Sequence, residues 1–502
     1  NSLSNKMGNS LLAVRGINHK YIVVGDIVIM KENDNISTEI KERQEKTMKF
    51  ESAEQKRNYM LEEPVEKLVC RLAVPTILSM LVTSFYNMAD TFFVGKLDTQ
   101  STAAVGIVFS LMAIIQAIGF LFGHGSGNFI SRKLGAGEME EAEKMSAVGF
   151  FTSFLSGVVI MAGCMFFIEP LSYLLGSTET IQPYTVAYLR IILIGAPAMT
   201  ASLVLNNQMR FQGSAFYAMI GIVSGAVINI ILDPILIFWC GMGVAGAALA
   251  TTISQYLSFF FLLIMIKRGG NIQIRFQNFK PSLHFFTEVI RGGIPSLFRQ
   301  GLASIATICL NHAAGVYGDG AIAGMSIVSR IMMFANSALI GFGQGFQPVC
   351  GFNYGAKRYE RVLKAFHFCV KVAFFCLLGM AVLVFIFAPQ LVTVFRKDDP
   401  DVIMVGTAAL RYSVIAFPLS AWIIMCNMML QSIGKGLKAS IVASARQGIF
   451  FLPLIWILPY FFGLTGVEAC QAVSDFFALT ISIPLGVSVI REMKREESYS
   501  NI

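Results

Sequence analysis

Residues 72–95 read LAVPTILSMLVTSFYNMADTFFVG, and this stretch decides the fold class. It is mostly apolar, and Asp90 is its only charged residue. About 20 apolar residues in a helix cross the ~30 Å hydrocarbon core of a bilayer, so the stretch predicts a transmembrane helix. Backbone polar groups in lipid must bond within their own segment, which favours helices, and the alternating pattern of a membrane β-barrel is absent.

Comparable apolar stretches recur along the rest of the chain. We predict twelve spans, at residues 72–95, 103–126, 146–168, 186–206, 217–238, 244–266, 294–317, 321–345, 365–388, 404–428, 439–460 and 466–489. The 502 residues are 55% hydrophobic and only 14% charged, with a mean hydropathy of +0.63. Soluble domains carry about 25% charged residues, so soluble enzymes, disordered chains and nucleic-acid binders are excluded.

Lysine and arginine residues lie mainly on one side of the predicted bundle. The loops after even-numbered spans and the C-terminal tail carry 18 of them, whereas the loops after odd-numbered spans carry three, Lys96, Arg396 and Lys397. The positive-inside rule therefore predicts a multi-pass protein of the plasma (inner) membrane with both termini in the cytoplasm. The net charge of +8 is a topology signal, and no nucleic-acid partner is expected.

The chain repeats itself at an offset of about 220 residues. FGHG at 122–125 matches FGQG at 342–345, and GA at 135–136 matches GA at 355–356. Six spans in each half keep the two halves parallel, as in transporters built from two lobes around a cleft. We predict an all-α polytopic membrane protein, with twelve transmembrane helices in two pseudo-symmetric six-helix lobes around a central cleft. The lobes span residues 61–266 and 293–490, with a cytoplasmic linker at 267–292 and a cytoplasmic tail at 491–502.

Residues 1–60 differ in composition from the rest of the chain. They are rich in Lys, Glu, Asn and Gln, and their one apolar piece, residues 21–30, is too short for a span. This composition predicts a polar cytoplasmic extension without stable structure. Because Met48 directly precedes the membrane part, residues 1–47 are interpreted as an upstream extension.

Two acids lie deep in predicted spans, where ionisable residues are costly and usually functional. Asp90 lies in span 1. Asn229 and Asp233, four apart in span 5, share one helix face. Pro234 can kink span 5 beside the acid, and Pro75 can kink span 1.

The oxygen-bearing residues Thr251, Tyr188 and Asn206 on neighbouring spans would complete a proton relay or a sodium site. The alternative is that both acids are helix-end residues satisfied by water. Their counterparts in the second half are Leu310 and Leu454, and this asymmetry favours a dedicated ion site in the first half.

Other charged residues near spans have plainer interpretations. Glu468 and Asp475 form either a secondary cation site or a water-facing helix start. Arg299 and Arg411 are expected near span ends, with their charges reaching the interface. Phosphate-binding loops and hydrolase motifs are missing, so we expect neither an enzyme nor a cofactor.

The chain resembles the multidrug and toxic compound extrusion (MATE) family over about residues 58–490. LAVPT at 72–76 with YNMADTFFVG at 86–95 is similar to that family's opening signature, GAGE at 135–138 to its first cytoplasmic loop, and NIILDP at 229–234 to its helix 5 motif. The resemblance implies a secondary active antiporter that exports amphiphilic, often cationic drugs in exchange for protons or sodium. It implies an ion site, with possible sodium, at Asp90, Asn229, Asp233 and Thr251, and a substrate cavity lined by Tyr86, Tyr188 and Asn206.

Two other functions stay open at this point. A flippase for a lipid-linked saccharide precursor would use a related fold, but it should show a strongly cationic cleft. A non-transporting membrane receptor or scaffold would show no ion-driven export. The expected partners are small amphiphilic drugs or toxins and the lipid bilayer, and we expect a monomer.

Overall fold

The computed structural model describes residues 21–24, 27–30, 53–396 and 399–500. Strands β1 (Tyr21–Val24) and β2 (Ile27–Met30) pair antiparallel, with Val24 opposite Ile27. The prediction of an extension without regular structure is therefore wrong for these eight residues. Two β-branched runs around a Gly-Asp pair are typical of a hairpin. For residues 1–20, 25–26 and 31–52 the prediction lies outside the described residues.

The N-terminal lobe contains the first six spans. Its helices are α1 (Ala53–Glu62), α2 (Val65–Val94), α3 (Thr99–Ala136), α4 (Met139–Phe166), α5 (Ile168–Leu174), α6 (Gln182–Phe211), α7 (Ala215–Pro234) and α8 (Gly243–Arg268). A π-helical turn, Ile235–Trp239, continues α7 past Pro234. The predicted lobe boundary at residue 61 is too late, because α1 begins at Ala53 and its Met60 is 1% exposed.

The C-terminal lobe repeats this order. A 3₁₀ turn, Phe276–Asn278, precedes α9 (Leu283–Gly315), α10 (Asp319–Gly355), α11 (Tyr359–Ile386), α12 (Ala388–Phe395), α13 (Pro400–Ala416), α14 (Ser420–Ser432), α15 (Gly436–Ser444), α16 (Phe451–Phe462) and α17 (Leu464–Ser500). A 3₁₀ turn, Phe417–Leu419, joins α13 to α14, and a π-helical turn, Ala445–Ile449, follows α15. The linker is shorter than predicted, because α9 already starts at Leu283. The predicted tail is helical, because α17 continues through residue 500.

Eleven helical segments of the described residues are long and apolar enough to cross a membrane. The remaining predicted span, residues 294–317, lies mostly in α9, which has 33 residues but is not among these eleven; it carries Arg291 and Arg299. The repeat is visible in helix lengths, because α4 and α11 each have 28 residues and start 220 positions apart, at Met139 and Tyr359. The fold is therefore the predicted all-helical pair of six-span lobes.

The lobes meet along a glycine seam at one end of the bundle. We call this the basic end, because the loops after even-numbered spans lie there. A Cβ on Gly125 of α3 would clash with the backbone of Val289 on α9, and one on Gly293 of α9 would clash with Leu121 of α3. The same holds for Gly345 of α10 against Ala73 of α2. Small residues allow helix backbones to approach closely in membranes, so these glycines hold the lobes together.

Helix α1 lies across both lobes at the basic end. On the N-terminal lobe, Lys56 Nζ donates to Ser214 Oγ at 2.6 Å and to Asn271 Oδ1 at 2.8 Å. On the C-terminal lobe, Arg358 Nη1 donates to the carbonyl of Leu61 at 2.7 Å. The polar composition that predicts disorder thus belongs to a helix whose Lys56 bonds to the N-terminal lobe and whose Leu61 carbonyl accepts a bond from the C-terminal lobe.

A matched pair of substitutions on α9 tests the glycine seam. Gly293→Ala should lower the melting temperature of the purified protein by several degrees, because the added methyl group pushes against the Leu121 backbone. Gly301→Ala should leave it unchanged or slightly raised, since no atom lies within 4 Å of its Cβ position and alanine favours helices. Equal melting temperatures for the two variants would contradict the seam.

The docking of α1 should depend on pH through Lys56. Burial lowers the pKa of Lys56 to about 7 from 10.5. Between those values the undocked amine holds a proton that the docked amine has lost, so docking should strengthen as the pH rises from about 7 to about 10. Hydrogen-exchange protection factors of residues 53–62 in the full chain measure this. Lys56→Met should abolish the dependence, whereas Lys67→Met, at a side chain that is 70% exposed, should keep it.

Candidate functional site

The structure brings the predicted ion-site residues together near the ends of α2 and α7. Asn229 and Asp233 lie one turn apart on α7 and are 1% and 0% exposed, and Thr251 of α8 is 3% exposed. Asp90 of α2 lies within electrostatic range of Asp233. These four residues come from three helices, so their arrangement depends on the packing of the N-terminal lobe.

The hydrogen bonds within this group leave acceptors unused. Asn229 Nδ2 lies 3.4 Å from both Asp233 Oδ1 and Thr251 Oγ1, which is long for such bonds. Three buried oxygens have no hydrogen-bond partner among the described residues: Asp90 Oδ1, Asn229 Oδ1 and Asp233 Oδ2. Buried acceptors without donors are costly, so this oxygen-rich group suits a proton or a hard cation such as sodium.

The two predicted proline kinks occupy different settings. Pro234 is the last residue of α7, and the π-helical turn that follows changes the helix type two residues after Asp233. Such turns are frequent at functional sites. Pro75 is buried inside a continuous α2, and the next residue, Thr76, donates through Oγ1 to the carbonyl of Gly341 in the other lobe at 2.6 Å. Helix α2 therefore connects the acid site to the lobe interface.

A cavity of about 150 Å³ in the N-terminal lobe reaches Asn229 and Thr251 of this group. Tyr86 and Asn206, predicted to line a cavity, lie on its wall with Asn229, Thr251 and Arg210. The described lining does not include Tyr188. Its ring is 1% exposed in an apolar cluster, although it lies within electrostatic range of Asp90. Tyr188 thus packs in the apolar cluster beside the acids, and its place on the cavity wall stays a prediction.

The C-terminal lobe has no equivalent acid site among its described residues. The counterparts of Asp90 and Asp233 are Leu310 and Leu454, and both pack against one apolar cluster. Asp475 fits neither of its two interpretations. It is 1% exposed, and Arg446 Nε donates to its Oδ1 at 2.7 Å and Arg446 Nη2 to its Oδ2 at 3.2 Å. The carboxylate of Asp475 is thus neutralised in a structural ion pair with Arg446. Of the two acids, only Glu468, which is 6% exposed, lies on the wall of a cavity, and that cavity has a volume of about 490 Å³.

Two arginines lie where the sequence does not predict them. Arg210 is one of the 18 cations assigned to the loops after even-numbered spans and the C-terminal tail, but it is 2% exposed and lines the N-terminal cavity. Arg299 was expected to reach the interface, but its Nη1 is buried without a partner, and it lines a second cavity of about 490 Å³. The repeat carried a signal, because the counterpart of Arg210 at an offset of 221 is Gln431. A charge that occurs in only one of the two halves distinguishes this position, as it distinguishes the positions of the two acids.

Groups of three or more His, Cys, Asp or Glu side chains suited to a metal are absent from the part of the chain that the structure describes. The oxygens of the acid site come instead from two carboxylates, an amide and a hydroxyl. They fit a transported ion better than a resident transition metal.

Comparison with known proteins matches both halves of the chain. The MatE family model matches residues 75–235 and 295–457, one copy in each lobe. The multidrug export protein MepA of Staphylococcus saprophyticus is 28% identical over 413 residues, which cover 82% of this chain and 90% of that protein.

Solved structures share the fold. The crystal structure of MATE in complex with MaL6 matches with a TM-score of 0.83 and 29% identity over 87% of this chain and 99% of that chain. The outward-facing conformation of a multidrug resistance MATE family transporter of the MOP superfamily matches with a TM-score of 0.82 and 28% identity, covering 87% and 98%.

Asparagine substitutions separate the acid site from the structural ion pair. Asp475→Asn should lower the free energy of unfolding by about 3 kcal/mol, because it leaves Arg446 without its counter-charge in a buried position. Asp233→Asn should leave the stability unchanged or raised, because Asp233 has no basic partner among the described residues. Thermal unfolding of the two purified variants measures the difference. A larger loss for Asp233→Asn would assign that acid a structural role.

Proposed function

Because the chain belongs to the MatE family, we propose that it is a secondary active multidrug efflux antiporter. It exports amphiphilic, often cationic compounds in exchange for protons or sodium. The observation that carries the coupling is the buried group of Asp90, Asn229 and Asp233, each with an oxygen that lacks a partner among the described residues. Asn229 also lines the N-terminal cavity, and the C-terminal lobe has leucine at the positions of both acids. The similarity to MepA and to MATE structures supports multidrug export.

Protons or sodium would act on the two carboxylates as a unit. When both are ionised, they repel each other in a buried site, so one bound proton or cation is favoured. A cationic substrate group in the adjoining cavity competes for the same negative charge. Ion and substrate therefore exclude each other, which is the requirement for exchange, and no cofactor takes part.

Alternating access follows from how the lobes are joined. The glycine seam closes the lobes at the basic end, and α2 runs from that seam at Ala73 and Thr76 to Asp90. Charge changes at Asp90 can bias α2 between two packings against α7, and this shift is transmitted to the seam. Opening at the basic end would require the seam and the bonds of α1 to separate.

The proposed setting is the plasma (inner) membrane. The basic end, with α1 and the C-terminal end of α17, faces the cytoplasm by the positive-inside rule. The protein works as a monomer without enzymatic activity, and its partners are small amphiphilic compounds and the bilayer. A lipid-linked saccharide flippase is the alternative. Arg299, Arg330 and Arg446 on the wall of the second cavity are the cationic residues that a flippase needs, whereas the buried carboxylates Asp90 and Asp233 favour the antiporter.

Replacing Asp90 tests the coupling. Asp90→Asn should reduce dye export from proteoliposomes to the level of empty vesicles, because an amide cannot exchange a proton or balance a sodium ion. The export is measured under an imposed pH gradient, with and without sodium, which identifies the coupling ion.

Asp319→Asn is the matched control, since Asp319 is exposed in the first turn of α10. It should export at the wild-type rate. Wild-type export by Asp90→Asn, at equal protein incorporation, would refute the assignment.

A further inference from the structure

Two arginines, one from each lobe, line the two cavities: Arg210 lines the N-terminal cavity and Arg299 lines the second. Arg210 lies in the last turn of α6. Arg299 lies within α9, nearly two turns after the seam residue Gly293. Arg299 lies within electrostatic range of both Arg210 and His124. Arg210 is 2% exposed and Arg299 is half-buried. Charges held in such positions are normally paired with an opposite charge, so the two guanidinium groups need an explanation.

The partners of Arg210 are neutral. Its Nη2 donates to Asn207 Oδ1 at 2.6 Å and lies 3.2 Å from Nε2 of His124, while its Nε has no partner. A guanidinium group can only donate, so Nε2 of His124 accepts and the ring proton is on Nδ1, which faces the carbonyl of Phe120 at 3.3 Å. None of these contacts supplies negative charge.

Carboxylates are also missing around this pair. Neither arginine forms an ion pair with any described residue, and the larger cavity that Arg299 lines contains Arg330 and Arg446 against Glu468. The scaffold does not require a charge here. In the other lobe, the counterpart Gln431 is fully bonded through Nε2 to the carbonyl of Gly292 at 2.7 Å and to Ser296 Oγ at 2.8 Å.

We propose that Arg210 and Arg299 bind the anionic group of a substrate, a carboxylate or a phosphate, between the two lobes. Guanidinium forks match the geometry of these groups, and both arginines have an N–H without a partner. The N-terminal cavity then has two poles, with Asn229 and Thr251 of the acid site at one and Arg210 at the other. The assignment of an anion site beside the substrate cavity rests on the proposed function.

Binding of a matched dye pair tests the site. The probes are the free-acid and methyl-ester forms of one rhodamine dye, which differ by a single negative charge. Fluorescence polarisation with the purified full chain in nanodiscs of zwitterionic lipid gives both dissociation constants. Arg299→Gln should raise the constant of the free acid about tenfold and leave that of the ester unchanged or lower. Arg299→Lys should restore part of the loss.

Arg411→Gln, an arginine outside the lining of both cavities, is the control and should bind both dyes as the wild type does. Arg210→Gln, which introduces the residue of the other lobe, is used only if its melting temperature is close to that of the wild type. Equal loss of both dyes in Arg299→Gln, or no change in either, would overturn the proposal.

A second arm identifies the source of the anion. Anionic phosphatidylglycerol is added to the nanodiscs. If a lipid phosphate fills the site, it weakens free-acid binding in the wild type but not in Arg299→Gln. If substrates supply a carboxylate, the free acid binds equally well in both lipids. Because no ion gradient is involved, charge-selective binding can hold even where Asp90→Asn still exports dye, so the two proposals fail separately.

Discussion

The contact between the lobes depends on glycine at positions where two helix backbones touch. Gly125, Gly293 and Gly345 leave no space for a Cβ, and they join α3 to α9 and α10 to α2. In lipid no hydrophobic force holds helices together, so close packing must supply the attraction. Such packing has discrete arrangements, and it can separate as a unit. The seam therefore sets both the stability of the closed basic end and the path by which the acid site, through α2, can act on it.

The function-bearing residues are departures from an otherwise repeated scaffold. The helices α4 and α11 have the same length and the same place in their lobes. At the positions equivalent to Asp90, Asp233 and Arg210, however, the second half has the uncharged residues Leu310, Leu454 and Gln431. A scaffold duplicated in sequence shows what packing alone requires at each position. Charges that one copy omits without loss of the fold serve another purpose, and here they border one cavity and the lobe interface.

Hydropathy and the repeat predict the spans, the two lobes and the N-terminal placement of the acids, because these depend on local composition. Features that depend on contact between distant segments were not predictable. Helix α1 looks disordered by composition, but Lys56 is buried through its bonds to Ser214 and Asn271, and Arg358 bonds to the carbonyl of Leu61. Asp475 looked like a cation ligand because its partner Arg446 lies on another helix. The orientation of Arg299 depends on where the lobes meet, which no single span reveals.

Opposite charges persist in one lobe because the fold keeps them apart. If Arg210 reached Asp233, the two would neutralise each other, and neither an ion nor a substrate charge could be bound there. Arg210 is instead held by Asn207 and His124 at the far side of the cavity. In the proposed function the acids therefore stay available to protons or sodium and the arginines to an anionic group, because neither set of charges is neutralised by the other.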